Sequence, residues 1–261
     1  MPSDLERIQT YLRRQARRGH IAQALAAFTV YTPPTDIMNA TNDAADTPYA
    51  IPRRLTRSIH HADLDELRAM FERQNARPRI EFFAGLYPDL PERLASAGYQ
   101  ETRRQSVLLA LPHNLQPPPP PAHTEVITIS RASSLEDVRE NLDANALGFD
   151  EPAGSTEAQA EAFRAGLVTS RAFTLRAHGH PVAAGMFEAI LGGVTELMGI
   201  ATLPEYRRRG LAAYLTAAMA ESAFAHGATL VFLCAVSEEA GRVYQRVGFR
   251  PCATLVEYTR E

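Results

Sequence analysis

The sequence predicts a mixed α/β fold built as two tandem halves, the first of them truncated. Three observations carry that reading. Residues 171–203 show an antiparallel strand pattern that leads through a helix into a fully apolar segment; five prolines stand in a row at Pro117 to Pro121; and the chain matches itself at an offset of 150 positions. An antiparallel meander followed by a helical crossover into a buried strand is the order expected of a mixed sheet.

The proline run sets the division. Proline has a fixed φ and no backbone N–H, so five in succession form neither helix nor central strand but an extended segment of ~3 Å per residue. Read as a stiff spacer, residues 117–121 separate a first domain, 1–116, from a second, 122–261. The alternative for such a run is a docking site for a proline-recognising partner, which would make the chain an interaction scaffold.

The second half opens with a short strand at 126–130 and a helix capped by Ser133 that runs to about Leu147. After the loop 148–152 comes a second helix, about 155–168. Strands at 171–177 and 182–191 are joined by the turn His178-Gly179-His180-Pro181, and Gly192-Gly193 turns the chain into a third strand, 194–203. A helix over 211–225 places Leu211, Leu215, Ala218 and Ser222 on one face. The apolar run 230–236 reads as a strand buried on both sides, 238–247 as a short helix stopped by Gly248, and 249–258 as one or two final strands.

Sliding the second half back by 150 positions sets Ile80 to Ala84 against Leu230 to Cys234, Gly98-Tyr99 against Gly248-Phe249, and Ala62 to Gln74 against Ala212 to Phe224. The opening helix, Ser3 to Arg17, carries a capping box of Ser3 with Glu6 and falls on the helix after Gly154. The first half has no room for the strand and helix that precede Phe149, hence its truncation. A period this long points to duplication and excludes a solenoid.

A net charge of −3 is not that of a polyanion-binding chain, so no nucleic-acid partner is expected. No apolar run approaches the ~20 residues of a membrane span, and the charged N-terminus lacks a signal-peptide core. Two cysteines, Cys234 and Cys252, offer neither a disulfide framework nor a metal set. A cytoplasmic protein follows from these features.

The chemistry concentrates where a strand passes through a turn into a helix, at Thr202-Leu203-Pro204-Glu205-Tyr206-Arg207-Arg208-Arg209-Gly210-Leu211-Ala212. A helix start presents unpaired N–H groups and the positive end of the helix dipole, which together bind phosphate. Gly210 lets the backbone approach an anion, and the three arginines add charge. Opposite this loop at the 150-residue offset stands Arg57-Ser58-Ile59-His60-His61-Ala62, with His60 in place of the glycine. The first half is therefore expected to lack a cofactor site.

In these motifs the chain resembles the GNAT superfamily of N-acetyltransferases. Arg207-x-x-Gly210-x-Ala212 is similar to that family's Gln/Arg-x-x-Gly-x-Gly/Ala signature, and Ala240-x-x-x-Tyr244-x-x-x-Gly248-Phe249 to its later helix-and-strand signature. Many members have glycine where Arg208 and Ala212 stand, and asparagine where Ser237 begins the later helix.

The resemblance implies a GNAT-like acyl-CoA N-acyltransferase fold in tandem form, with acetyl-CoA as co-substrate. Arg207, Arg208, Arg209, Gly210, Leu211, Ala212 and Ala213 would hold the diphosphate, Ile200, Ala201 and Thr202 the pantetheine arm, and Ser237 and Tyr244 the far side. Tyr244 would protonate the departing thiolate. Glu196 is the candidate base, or the carboxylate that orients the acceptor's ammonium group, with Glu188 in reserve. The acceptor is expected to be a small-molecule primary amine rather than a protein, framed by 147–152, the Gly192-Gly193 turn and the first domain, which could close one side of the site. Acyl chain length and oligomeric state stay open. The rival reading is a coenzyme-binding sensor or pseudoenzyme. The histidines His60, His61, His178 and His180 read as turn and cap residues, with no metal expected.

Overall fold

The computed structural model describes residues 3–33, 47–53 and 58–260. Two compact units divide it: residues up to Tyr11 together with Leu108–Cys252, and Leu12–Val107 together with the chain from Ala253 onward. The first of these is called the site unit below.

In the site unit, β6 (Thr124–Ile129), β7 (Arg171–Ala177), β8 (His180–Phe187) and β9 (Val194–Thr202) form an antiparallel meander. β10 (Leu230–Ala235) then adds in parallel beside β9. The step from antiparallel to parallel pairing requires a crossover, supplied by α6 (Leu211–Ala225). α6 buries Leu211, Leu215, Met219 and Ala223 against Phe173, Phe187, Leu197 and Val231. β10 reads Leu-Val-Phe-Leu-Cys-Ala and is buried nearly throughout, as a strand covered on both faces must be.

Two helices between β6 and β7 complete the unit. α4 (Leu135–Gly148) is capped by Ser134, whose hydroxyl accepts from the Asp137 amide, and α5 (Glu157–Gly166) by Thr156 in a capping box with Gln159. The cap of α4 thus sits one residue later than the expected Ser133, whose hydroxyl instead accepts from the Ser130 amide. α7 (Glu238–Gln245) follows β10 and is capped by Ser237. Helix α1 (Asp4–Gly19) contributes its first turns here, with Ile8 and Tyr11 fully buried.

The other unit repeats the order. β1 (Ile21–Leu25), β2 (Phe28–Thr32) and β3 (Tyr49–Pro52) form a meander, and α2 (His61–Arg73) crosses over to β4 (Arg79–Phe83), which pairs in parallel with β3. α3 (Leu90–Ser96) leads to β5 (Gln100–Ala110). With the 150-residue offset, α2 falls on α6, β4 on β10, α3 on α7 and β5 on the final strand β11 (Arg250–Thr259). β11 pairs antiparallel with β4, and its Val256 and Tyr258 enter this unit's core, while Leu108 and Ala110 at the end of β5 enter the core of the site unit. The strand that closes each half of the sequence thus ends in the core built mainly by the other half.

A charge network marks this second core's edge. Arg79 lies 3.2 Å from Glu81 and 3.8 Å from Glu257, and Arg103 reaches the same two carboxylates at 3.2 and 3.0 Å. Burial, the leading influence, raises the Glu81 carboxyl above its ordinary value. Replacing Arg79 by Leu would leave two largely buried carboxylates with one exposed partner. Urea unfolding of that variant should show a loss of about 3 kcal/mol.

Candidate functional site

The site begins where two strands part. β9 and β10 pair at Val194 with Leu230, Thr195 with Val231 and Glu196 with Phe232, and nowhere beyond. β9 nevertheless continues to Thr202 and β10 to Ala235, so a fork opens past Glu196. A bulge shapes the free arm. Met198 pairs with Met186 and Ala201 with Ala184, which puts one extra residue on β9.

Helix α4 holds that arm. Asn145 Nδ2 donates to the Gly199 carbonyl at 2.6 Å. Gly148 packs so closely that a Cβ there would lie 2.6 Å from Ala201 Cβ and 3.1 Å from Thr202 N. Only a residue without a side chain permits this contact.

Beyond Thr202 the chain enters the arginine loop. Arg207 donates from Nε to the Thr202 carbonyl and from Nη2 to the Gly148 carbonyl, both at 3.0 Å, and meets both oxygens of Asp150 at 3.2 Å. It therefore ties the loop to the end of α4. Arg209 turns away, donating to the Glu205 carbonyl at 2.7 Å and lying 5.1 Å above the Tyr206 ring. Arg208 adopts φ +62° and Gly210 φ +79°. Nothing lies within 4 Å of where a Gly210 Cβ would be, so the left-handed backbone and not crowding calls for glycine. No side chain caps α6, and its first internal bond to Gly210 comes from the Tyr214 amide. The amides of Leu211, Ala212 and Ala213 thus have no acceptor within the helix.

A cavity of ≈ 720 Å³ gathers these parts. Ile200, Ala201 and Thr202 line it from β9, Arg207, Arg208 and Gly210 to Ala213 from the loop and α6, and Ser237 and Tyr244 from the α7 side. Its volume lies within the ~300–1,000 Å³ of small-molecule sites. Arg209, Glu196 and Glu188 stand outside the lining. Glu196 lies at the crotch of the fork, five residues or about 16 Å along β9 from Ala201, with its carbonyl accepting from the Glu188 amide at 2.9 Å.

Six lining residues were not expected there from the sequence: Gly148 at the end of α4, Val236 after β10, Glu239, Arg242 and Val243 on α7, and Arg246 just past it. The two arginines stand four apart and flank Tyr244, a helical spacing that could have marked them. With Arg207 and Arg208 they place four guanidinium groups against one carboxylate on the wall, which suits a polyphosphate. Ser237 is engaged as the cap of α7, its hydroxyl accepting from the Ala240 amide at 3.2 Å. Tyr244 is buried, and desolvation alone pushes its phenol up to about 12.

A second cavity of ≈ 560 Å³ is lined by Leu147, Asp150, Glu151, Pro152, Leu203, Pro204 and Glu205. The loop expected to frame an acceptor thus does border a cavity, while the Gly192-Gly193 turn packs elsewhere, the Gly193 carbonyl accepting from the amides of Thr229 and Leu230. In the other unit, His60 is the N-cap of α2 and its amide donates to the Asp63 carboxylate at 2.8 Å. Its predicted neighbour Arg57 lies outside the described residues. Among the described residues no group of three or more His, Cys, Asp or Glu side chains is placed to hold a metal ion, and no helix is long and apolar enough to cross a membrane.

Comparison with known proteins accords with this architecture. Residues 136–249 match the Acetyltransferase (GNAT) family. A GCN5-related N-acetyltransferase from Kribbella flavida superposes with a TM-score of 0.78 at 26% identity, over 97% of this chain and 94% of that one. A GCN5-related N-acetyltransferase from Sphaerobacter thermophilus gives 0.63 at 17% identity, over 90% of this chain and 76% of its own. A tandem GNAT protein from the clavulanic acid biosynthesis pathway gives 0.64 at 16%, over 90% and 78%. No curated protein matches at a significant level. Residues 136–249 thus match the GNAT family, and the chain shares the GNAT fold of these structures over most of its length.

Introducing a methyl group by Gly148→Ala should push α4 off the free arm of β9. Thermal or urea unfolding is expected to report a loss of about 1–3 kcal/mol, the usual cost of overpacking.

Proposed function

We propose that the chain transfers an acetyl group from acetyl-CoA to the primary amine of a small molecule, by direct attack within a ternary complex. The observation that carries this reading is the fork of β9 and β10 opening onto a cavity with free helix amides and arginines at one end and Tyr244 in its wall.

The chain's residues divide the work. Leu211, Ala212 and Ala213 offer backbone N–H groups to the diphosphate, and Arg208, Arg242 and Arg246 neutralise it. The unpaired edge at Ile200 to Thr202 takes the pantetheine arm as an added strand. A backbone N–H of this arm polarises the thioester carbonyl. Glu196, at the crotch, receives the amine's proton through water or orients its ammonium form; Glu188 is the neighbouring carboxylate. Glu151 and Glu205 around the second cavity favour a cationic acceptor approaching from that side, Asp150 being paired with Arg207. Tyr244 donates to the leaving sulfur. The same reading confines the coenzyme to residues 122–261 and leaves 1–116 without a coenzyme site, Pro117 to Pro121 acting as spacer.

Thiol release measured with acetyl-CoA across a panel of small amines tests the assignment, and tight coenzyme binding without turnover on any amine would mark a sensor instead. Tyr244→Phe should lower kcat about a hundredfold while leaving the KM for acetyl-CoA within about twofold. Equal loss in both would contradict an acid role.

The pH profile supplies a separate check. Because burial raises the Tyr244 phenol to about 12, the group keeps its proton throughout the range in which an alkylamine, near ~10.4, becomes neutral. The rate should climb from pH 6 to 9 with no falling limb below pH 10. A limb assigned to Tyr244 by its absence in the Phe variant, and centred below pH 10, would overturn this.

A further inference from the structure

Helix α1 inserts one polar group into the site unit that no step above uses. Tyr11 is 1% exposed, and its ring meets Phe232 edge-on with centroids 5.4 Å apart. Phe232 is the register partner of Glu196, the last pair before the strands diverge. Tyr11 thus lies beside the crotch of the fork. Its hydroxyl is buried and makes no hydrogen bond of good geometry, although Thr195 and the Glu196 backbone lie close by. Thr195 donates its own hydroxyl to the Glu188 carbonyl at 2.6 Å, so toward Tyr11 it can only accept. The phenol is raised well above its ordinary value, first by burial and then by the negative charges of Glu196 and Glu188, so it stays a neutral donor.

A phenylalanine would fill this space without stranding a hydroxyl, and a buried donor left unpaired is costly. The hydroxyl's position beside two carboxylates at the reacting end gives it a use. Resting on the acyltransfer reading above, we propose that Tyr11 is a positioning residue for the acceptor: its hydroxyl donates a hydrogen bond to the Glu196 carboxylate when the amine is bound, and so fixes that carboxylate toward the fork. The opening helix of the chain would then complete the acceptor end of a site whose donor end lies wholly in residues 122–261.

The test is a double-mutant cycle on the full chain with Tyr11→Phe, Glu196→Gln and both together, using thiol release from acetyl-CoA with the best amine of the panel. Tyr11→Phe should lower kcat/KM for the amine about tenfold, leave the KM for acetyl-CoA unchanged, and have less than a twofold further effect once Glu196 is Gln. Its melting temperature should equal or exceed that of the wild type, because the lost hydroxyl makes no hydrogen bond of good geometry. A melting temperature several degrees lower, or additive effects of the two substitutions, would assign Tyr11 a packing role and overturn the proposal. If the wild type turns over and Tyr11→Phe matches it within twofold, the Tyr11 inference alone falls. If the wild type releases no thiol with any amine, the acyltransfer reading falls and takes this inference with it.

Discussion

The parting of β9 from β10 after Glu196 and Phe232 is the constraint on which the rest of the site depends. Paired further, the two strands would have filled the sheet and left no edge for a ligand. The separation needs support, since the edge of β9 that faces β10 has lost its ladder partner and the arm keeps only β8 on its other side. It comes from α4, through Asn145 on the Gly199 carbonyl and Gly148 against Ala201. From there Arg207 carries the connection into the loop, because one guanidinium grips the Thr202 carbonyl, the Gly148 carbonyl and Asp150. Strand, helix end and arginine loop therefore hold one another in place.

This arrangement changes the meaning of the arginine triplet. As a sequence it reads as three charges offered to an anion. In the fold the three have separate tasks: Arg207 is a structural tie, Arg208 lines the cavity from a left-handed backbone, and Arg209 stacks over Tyr206. The charge opposite the helix start is made up from α7, by Arg242 and Arg246.

What could be read from sequence follows a physical line. Helix α6 and strand β7 were legible to the residue, because the glycine that precedes the one and the His178-Gly179 turn that ends the other are local signals. The GNAT fold was legible because its two motifs are also local. The hairpin β1–β2 and the short helix α3 were not, since five-residue strands and a seven-residue helix give too few periods to stand out. Asn145, Gly148 and Tyr11 could not be seen either. Their importance comes from what they touch across 54, 53 and 221 positions of chain respectively, in Gly199, Ala201 and Phe232, and a single sequence carries no trace of such pairings. The end strands β5 and β11 belong to the same class, as nothing local tells a final strand which core it will enter.

The two helix starts that match at the 150-residue offset, α6 and α2, treat their backbone donors differently. At Gly210 the second half leaves its backbone donors facing open space. At the matching position the first half sets His60, and the backbone donor there is answered by the carboxylate of Asp63, three residues on in the same helix. One helix start thus presents its first amides without a side-chain cap, and the other sets a carboxylate of its own first turn on the amide of its N-cap residue.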